Sequence, residues 1–257
     1  MSIGDDFDLT GRVAIVTGGT RGIGLAIALG LAEAGADVVP TARTGEDVEA
    51  AVASIRERGR ESIAIPADVT SDADVATLVD RTHEALGGPD ILVNNAGINP
   101  ASALGTPEAV EPEAADLVLD VNLLGAFRCV QAAADHLRTA ENGVVLNVAS
   151  VGGLVGLPRQ HPYVASKHGL VGLTKSMALD WAPDVRVNAI APGYVTTELT
   201  AELRANDRLR DSILSRTPLA RFADPEEIAG PAVFLASDAA SFVTGECVAV
   251  DGGWTAR

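Results

Sequence analysis

The hydrophobic pattern alternates between two types of segment along the chain. Short apolar runs are typical of buried strands, and segments with apolar residues three and four positions apart are typical of helices. The pattern predicts seven strands, at residues 12–19, 36–42, 62–69, 90–97, 143–150, 185–193 and 246–253. It predicts helices at residues 22–34, 47–58, 72–86, 113–122, 123–138, 163–181 and 225–235.

The order of these elements predicts an α/β fold. Strands that alternate with helices are joined by crossovers, so the strands run parallel and helices cover both faces of the sheet. No internal repeat, low-complexity segment or linker divides the chain, which predicts a single domain over residues 1–257. Pro40 is the exception to the pattern, because a proline inside a strand removes a ladder hydrogen bond. We expect Pro40 to mark the point where the second strand leaves the sheet.

Composition places the chain among ordinary soluble proteins. Of its 257 residues, 47% are hydrophobic and 21% are charged, and the two cysteines are too few for a disulfide framework. No apolar run reaches the roughly 20 residues that a membrane-spanning helix needs. The acidic start of the sequence lacks the features of a signal peptide. These observations predict a cytoplasmic protein with no membrane partner.

The charge balance is unusual for such a protein. The sequence has 35 acidic and 19 basic residues, a formal net charge of −16, and Lys167 and Lys175 are its only lysines. A surface of this charge repels nucleic acid and anionic membranes, so neither is an expected partner. It resembles the surfaces of halophilic proteins, in which concentrated salt screens the repulsion. A genome rich in GC would also favour arginine over lysine, but it does not explain the acidic excess.

A glycine-rich segment connects the first predicted strand to the first predicted helix. Residues 17–24 read TGGTRGIG. Glycines allow the backbone to turn tightly and approach a pyrophosphate, and the helix N-terminus presents free N–H groups to it. A glycine cluster alone also occurs in ordinary strand-to-helix turns. The place of this segment in the first crossover favours a dinucleotide.

The residues after the second predicted strand indicate which dinucleotide is bound. NAD enzymes place a carboxylate there to hold the ribose hydroxyls, whereas this chain has Ala42 and Arg43. Arg43 offers a planar cation to a 2′-phosphate, and Arg21 in the glycine segment can approach the same group. The alternative is that both are solvated surface arginines. The pattern therefore favours NADP over NAD.

Three residues form a candidate catalytic group. Tyr163 and Lys167 are four positions apart on a predicted helix and share a face, and Ser150 ends the fifth predicted strand. An ammonium beside a phenol is expected to lower the pKa of the phenol, so that Tyr163 can exchange a proton with a substrate oxygen. The Ser150 hydroxyl can orient that oxygen. Alone, a tyrosine and a lysine at this spacing also fit an amphipathic helix with an extended lysine.

Six ordered motifs resemble those of the short-chain dehydrogenase/reductase family, and the resemblance extends from Leu9 to Gly253. It implies a doubly wound Rossmann-type domain with a parallel seven-stranded sheet, usually assembled as a homotetramer. Ala149 departs from the family pattern, in which a second serine is common. The motifs are TGGTRGIG at residues 17–24, DVT at 68–70, NNAG at 94–97, VN ending at Asn122, Ser150 with Tyr163 and Lys167, and PGYVTT at 192–197.

The resemblance also implies roles for individual residues. Asn122 would hold a water that completes a proton relay from Lys167, and Lys167 would also bond the nicotinamide ribose. Asp68 and Val69 would border the adenine, and Asn95 would line the ribose side. Val195 and Thr197 would contact the carboxamide and the phosphates. The full set implied for the cofactor is Gly18, Thr20, Arg21, Gly22, Ile23, Gly24, Arg43, Asp68, Val69, Asn95, Ala96, Gly97, Tyr163, Lys167, Pro192, Gly193, Val195 and Thr197.

The substrate is less well specified by the sequence. Its walls are expected from residues 99–102, 151–162, Tyr194 and 198–216. Arg159 and His161 could receive a carboxylate or hydroxyls, or they are ordinary polar loop residues. The spacing of histidines and carboxylates predicts no metal site. His83, His136 and His168 are interpreted as packing or surface groups.

Residues 197–229 resemble the sugar and aldonate dehydrogenases of the family, which favours a small sugar, aldonate or polyol as substrate. A 3-oxoacyl-thioester reductase shares every motif above and is the main alternative. Activity on hydroxysteroids is less favoured. An NADP-binding regulatory protein without turnover is an alternative of another class, and so is a purely structural partner, which would not need the glycine segment.

Overall fold

The computed structural model describes residues 3–256, and a parallel β-sheet forms its centre. The strands within this range are Val13–Thr17 (β1), Asp37–Thr41 (β2), Ile91–Asn94 (β3), Gly143–Val148 (β4), Val185–Pro192 (β5) and Cys247–Val250 (β6). They lie side by side in the order β2-β1-β3-β4-β5-β6. The α-helices are Gly22–Glu33 (α1), Gly45–Arg56 (α2), Asp72–Leu86 (α3), Pro112–Leu119 (α4), Gly125–Thr139 (α5), His161–Trp181 (α6), Ala201–Ala205 (α7), Asp207–Arg216 (α8) and Glu226–Ala236 (α9).

Helices cover both faces of the sheet, as the alternating pattern predicts. Successive residues of a strand point to opposite faces, so Val16 packs in one apolar cluster and Ile15 in the other. The first cluster is filled by α1 and α9, and the second by α3, α5 and the end of α6. Because each central strand is buried on both faces, its sequence is mostly apolar, and the exceptions include Asn94, Asn147 and Asn188, which are buried.

The prediction of seven strands is wrong by one, because residues 62–69 do not form a strand in the described chain. This segment runs beside β2 but is joined to it by few backbone bonds, such as Val38 N–H to Glu61 O at 3.1 Å. Pro40 lies in the middle of β2 and cannot donate to the segment, so the ladder is interrupted. Two hydroxyls bridge the gap instead: Ser62 donates to Val38 O, and Thr41 donates to Ile65 O.

Pro40 does not mark a departure of β2 from the sheet, as we expected from the sequence. It stays in register with Val16 of β1, and the pairing continues to Thr41. The proline nitrogen therefore faces residues 62–69, and the missing backbone hydrogen bond is one to that outer segment and not one to β1. This position suits a proline, because prolines are tolerated at the edge of a sheet better than in its interior.

The two helices predicted at residues 113–122 and 123–138 are one helical stretch. A π-helical turn at Asp120–Leu124 joins α4 to α5. The stretch Pro112–Thr139 is the one segment in residues 3–256 that is long and apolar enough, by length and composition, to cross a membrane. It packs on the sheet and on α3, and it carries Asn122 into the interior, as a core helix does.

The order of the strands creates a crevice at one edge of the sheet. The chain passes from β1 outwards to β2 and then returns to β3 on the other side of β1. The connections after β1 and β3 therefore diverge above their carboxyl ends, where ligands bind in open α/β sheets. Ser150, directly after β4, and Gly193, directly after β5, lie at the same edge.

Candidate active site

The glycine segment at residues 17–24 connects β1 to α1, and its backbone requires glycine. Gly18 and Gly22 have φ values of 60° and 52°, in the left-handed region that other residues avoid. A Cβ on Gly24 would lie 2.1 Å from Gly18 O and 2.3 Å from Asn95 Nδ2. No other residue fits there without moving the loop. Thr20 and Ile23 are partly exposed at the surface of this loop.

Asn95, after β3, holds the loop in this shape. Its Nδ2 donates to Thr17 O and to Gly18 O, at 2.9 Å in both cases. The Thr17 hydroxyl in turn accepts the backbone N–H groups of Asn95 and Ala96. The amide nitrogen of Asn95 is therefore committed to the protein. Because its backbone N–H is also bonded to Thr17, only its side-chain oxygen and backbone carbonyl remain for the ribose contact that the family resemblance implies.

The N-terminus of α1 fits an anionic group. Helix N-termini carry partial positive charge, and other helices of this chain place carboxylates there: α2, α3 and α9 each have two acidic residues in the first turn. The first turn of α1 has none. Together with the close-packed glycines, this leaves the N–H groups of the turn available to a phosphate. The residues present therefore fit the pyrophosphate of a dinucleotide.

Arg21 and Arg43 do not converge in the structure. Arg21 Nη1 lies 2.6 Å from Glu198 Oε2, and both side chains are exposed. Arg43 is exposed at the end of β2 and interacts electrostatically with Asp68. The pKa of Asp68 is lowered, mainly by the N–H of Thr70 and also by the Arg43 charge. Arg43 thus stands alone at the predicted 2′ position, and Arg21 reaches it only after leaving Glu198.

The structure brings Ser150 and Tyr163 together. Ser150 follows β4, Tyr163 lies in the first turn of α6, and the Ser150 hydroxyl is close enough to Tyr163 to influence the pKa of its phenol. The Ser150 Oγ also accepts the N–H of Gly152 at 3.0 Å, and its residue is 8% exposed. A Cβ on Gly152 would lie 3.4 Å from the Tyr163 ring, so this glycine makes room for the pair. The two hydroxyls form the donor and acceptor pair that a carbonyl or carbinol oxygen requires.

Lys167 lies below this pair and is almost fully buried, with 4% exposure. Its Nζ donates to Val148 O at 2.7 Å and is 5.8 Å from the centre of the Tyr163 ring. A Cβ on Gly97 would lie 3.6 Å from Lys167 Nζ and 3.4 Å from Asn122 Oδ1. Gly97, Asn122 and Lys167 therefore meet at one point between β3 and α6.

Burial governs the protonation of both groups. It raises the pKa of Tyr163 above its usual 10.0, and the neighbouring Ser150 hydroxyl offsets part of this increase. Burial lowers the pKa of Lys167 to about 8. The expectation of a lowered phenol pKa is therefore wrong for the protein alone. The ammonium donates to Val148 O, and the phenolate would lose its hydration in the partly buried site.

Asn122 occupies the π-helical turn between α4 and α5, which directs its amide inwards. Its Oδ1 accepts the N–H of Ile98 at 2.8 Å, and its Nδ2 donates to Ile98 O at 2.9 Å and to Ser166 Oγ at 3.2 Å. Single π-helical turns occur often at functional sites, because the extra residue redirects one side chain. Ser166, which the sequence did not single out, connects Asn122 to Tyr163 O.

Several residues implied by the family pattern offer only backbone to a ligand. Val69 is 8% exposed, and its Cγ2 lies 2.8 Å from where a Cβ on Gly125 would stand. Val195 is 2% exposed and bridges to Ala223. Pro192 ends β5, and the Cα of Gly193 faces Asp251 closely.

An aromatic cluster lines the other side of the cleft. Tyr194 contacts Trp254 edge-on with ring centres 4.9 Å apart, and Phe222 at 6.1 Å. The guanidinium of Arg216 lies 4.3 Å from the Trp254 ring centre. The pKa of Tyr194 is raised by burial, with smaller effects of Arg216 and Tyr163. Trp254 and Phe222 are not among the predicted site residues, because they lie outside every motif and only the fold brings them here.

Two loops close the cleft near the start of α6. Asn99 Nδ2 donates to Gln160 Oε1 at 2.9 Å, and Gly105 N–H donates to Arg159 O at 3.0 Å. Arg159 has a φ of 64°, an unfavourable conformation for a residue with a side chain. Arg159 and His161 are exposed at this rim.

The remaining histidines lie away from the cleft. The rings of His83 and His136 stack with centres 4.4 Å apart, and His168 is hydrogen-bonded to Val164 O. No group of three or more histidine, cysteine or acidic residues that could hold a metal ion occurs within residues 3–256.

Comparison with known proteins covers nearly the whole chain. The family model described as enoyl-(acyl carrier protein) reductase, a model of short-chain dehydrogenases, matches residues 18–255. The chain is 40% identical over 255 residues to the 2-dehydro-3-deoxy-D-gluconate 5-dehydrogenase of Escherichia coli, covering 98% of both chains. It is 41% identical over 244 residues to the 3-oxoacyl-(acyl-carrier-protein) reductase of Staphylococcus aureus, covering 94% of this chain and 97% of that one.

A solved structure is similar over the same range. The gluconate 5-dehydrogenase of Burkholderia cenocepacia, in complex with NADP and tartrate, superposes with a TM-score of 0.95 at 38% identity. The match covers 100% of both chains.

Proposed function

The chain belongs to the short-chain dehydrogenase/reductase family, and from this premise we propose that it interconverts a carbinol and a carbonyl on a small aldonate or sugar with NADP as cofactor. Members of the family are oxidoreductases of CH–OH and C=O groups. The observation that supports the proposal most strongly is the proximity of Ser150 and Tyr163 beside buried Lys167, at the carboxyl edge of the sheet.

The dinucleotide supplies or accepts the hydride, and the chain holds it through backbone and a few side chains. The glycine segment and the N-terminus of α1 would take the pyrophosphate, and Thr197, above Gly22, would close over it. Arg43 supports NADP over NAD, because it is an exposed cation where NAD enzymes place a carboxylate. Asp68 and the backbone at Val69 would border the adenine.

Tyr163 exchanges the proton at the reacting oxygen. In the reducing direction its hydroxyl donates to the forming alkoxide, and in the oxidising direction its phenolate accepts the carbinol proton. Ser150 donates a second hydrogen bond to the same oxygen and fixes its position. Lys167 would return a proton to the Tyr163 phenolate after each reduction. Asn122 at the π-helical turn would hold the water that completes the relay to Lys167.

The substrate class is supported by the relatives. The Escherichia coli relative is named for a deoxygluconate, and the Burkholderia cenocepacia structure is named for gluconate and contains tartrate. These are hydroxy acids with a carboxylate and vicinal hydroxyls. The polar rim formed by Asn99, Gln160 and Arg159 suits such hydroxyls.

A 3-oxoacyl-thioester reductase is the second candidate. The Staphylococcus aureus relative with this name is as similar in sequence, at 41% identity, as the deoxygluconate dehydrogenase is at 40%. The proton chemistry of Ser150, Tyr163 and Lys167 is the same for both substrates. Only the walls of the cleft distinguish them.

The test is a substrate screen that follows NADPH absorbance. D-gluconate, related aldonates, polyols and 3-oxoacyl thioesters are offered to the purified protein in both directions, at low and at molar salt. We expect the highest kcat/KM with an aldonate and its keto acid. Preference for the thioester would support the second candidate. NADPH binding without turnover of any substrate would contradict an enzyme and support a regulatory protein.

The surroundings in which the enzyme works are also part of the proposal. We propose a cytoplasmic homotetramer whose residues 1–257 form a single domain. Exposed apolar side chains on the helical stretch Pro112–Thr139 support self-association. Leu117, Leu124 and Phe127 are 49%, 47% and 38% exposed. The net charge of −16 supports adaptation to concentrated salt.

A further inference from the structure

Arg204 on α7 has an unsatisfied guanidinium at the edge of the cleft. Its Nη2 donates to Thr197 O at 3.2 Å, and its Nε is buried and has no acceptor. In the part of the chain that the structure describes, no carboxylate forms an ion pair with it, although the chain is strongly acidic. Three arginines of the neighbouring segments do have acidic partners: Arg21 with Glu198, Arg210 with Asp207, and Arg221 with Glu227.

The two nitrogens concerned form one edge of the guanidinium. Nε–H and one N–H of Nη2 are parallel, and this fork matches the two oxygens of a carboxylate. Arg56 shows the edge when it is satisfied, because its Nε and Nη2 both donate to Ser62 O, at 3.1 and 2.7 Å. In Arg204 the Nη2 of this edge makes one long hydrogen bond, and the Nε–H has no acceptor. A buried donor without an acceptor is unfavourable unless a ligand supplies the acceptor.

The helix that carries Arg204, α7, lies beside the substrate side of the site. The next residue back, Leu203, packs in the cluster of Val151, Tyr194 and Trp254, which borders Ser150. Thr197, whose carbonyl contacts Arg204, stands above Gly22 of the glycine segment. Arg204 therefore lies on a helix that borders the aromatic cluster on one side and contacts, through Thr197, the glycine segment on the other.

From this geometry we propose that Arg204 binds the carboxylate of the substrate through its Nε and Nη2, and thereby selects hydroxy acids over neutral sugars and polyols. The inference rests on the proposed function and deepens it. The carboxylate replaces the long bond to Thr197 O and satisfies the buried Nε–H. Because the rest of the protein repels anions, this local cation decides whether an anionic substrate is retained.

The test compares D-gluconate with D-gluconamide, which has the same hydroxyls and no charge. Calorimetric titration of the NADP-saturated protein measures binding of each, and steady-state kinetics measures KM and kcat. Wild type should bind gluconate at least about 10-fold more tightly than gluconamide, as charge-assisted hydrogen bonds predict. Arg204→Gln should remove that difference and leave gluconamide binding within about 2-fold. Arg204→Lys, which keeps the charge without the fork, should recover only part of it.

Arg81→Gln, on the exposed face of α3, removes the same charge and is the matched control. Unchanged discrimination in Arg204→Gln would overturn the inference, and so would equal affinity of wild type for the two compounds. Weaker NADPH binding in Arg204→Gln without a change in discrimination would assign the residue to the cofactor phosphates and would also overturn it. Selective gluconate binding without turnover would leave the inference standing and refute the proposed function. Turnover of neutral polyols without carboxylate preference would do the reverse.

Discussion

Buried Lys167 and partly buried Tyr163, both with displaced pKa values, are neighbours in the site. Burial raises the pKa of Tyr163 and lowers that of Lys167 to about 8. Each group therefore favours its neutral form more than it would in water. A neutral phenol is the proton donor that carbonyl reduction needs. Oxidation of a carbinol needs the phenolate, and its rate should therefore continue to rise with pH into the alkaline range.

The Lys167 pKa has a consequence for stability. Below pH 8 the lysine is protonated in both states, and the folded protein carries the full cost of its burial. As pH rises from 8 towards 10.5, the folded state loses the proton first and the cost disappears. Relative to Lys167→Met, the free energy of unfolding of wild type should therefore rise over this window, by about 3 kcal/mol in total.

Chemical denaturation between pH 7 and 10.5 measures this difference directly. Lys175→Met, which removes the exposed lysine of the same helix, is the matched control. A difference between wild type and Lys167→Met that stays constant with pH would show that burial does not lower the pKa of Lys167.

The proposed preference for NADP over NAD rests on Arg43. Arg43→Asp places a carboxylate where NAD enzymes have one and repels a 2′-phosphate, so the ratio of NADPH to NADH affinity should fall by about 10- to 100-fold. Fluorescence titration with both cofactors measures the ratio, with Arg81→Asp as the control for the change in net charge. The interpretation fails if wild type already binds NADH more tightly than NADPH.

Among the strands and helices, the sequence predicts the strands that carry the candidate site more accurately than it predicts the outer edge of the sheet. Apolar runs and glycines at β1, β3, β4 and β5 located the strands that carry it, because both faces of these strands are buried. Residues 62–69 have the same apolar composition but lack the ladder, since the effect of Pro40 depends on which neighbour its nitrogen faces.

The π-helical turn and the Arg21 ion pair could not be read from the sequence for a similar reason. One extra residue in a turn leaves no mark on apolar spacing, and Glu198 meets Arg21 only through the fold. The spacing of Ser150, Tyr163 and Lys167 predicted their proximity, but not the direction of the tyrosine pKa, which depends on burial.

The shape of the glycine segment should determine the affinity for the cofactor. In Gly24→Ala the new Cβ would overlap Gly18 O and Asn95 Nδ2, so the loop must move away from its present shape. NADPH affinity should fall at least about 30-fold. Gly230→Ala in α9, where a Cβ meets nothing within 4 Å, is the control and should leave binding unchanged. Equal NADPH binding by the two variants would contradict the role of this loop.

At the scale of the whole molecule, charge acts against both folding and anionic ligands. The net charge of −16 means that acidic side chains repel one another across the surface, and salt screens that repulsion. The positive features of the site, which are the N-terminus of α1, Arg43 and Arg204, are concentrated at one edge of the sheet. These features oppose the negative charge of the molecule where we propose that the cofactor and a hydroxy acid bind.

Salt should stabilise the protein over an unusually wide range. Between 0.05 and 2 M KCl at pH 7.5, the Tm should rise by at least about 5 °C, because screening removes repulsion among carboxylates. Near pH 5, close to the isoelectric point of about 4.5, the same salt should have a smaller effect. A Tm at pH 7.5 that is independent of salt would contradict adaptation to concentrated salt.

The most direct test of the account is Tyr163→Phe, measured for NADPH binding and for turnover of the best substrate. The variant keeps the ring and its packing against Ala103, Ala114 and Val118 but loses the hydroxyl that we propose exchanges the substrate proton. NADPH affinity should stay within about 3-fold of wild type, and kcat should fall by about 1,000-fold or more. A variant that binds NADPH normally and retains wild-type turnover would show that the proton moves by another route.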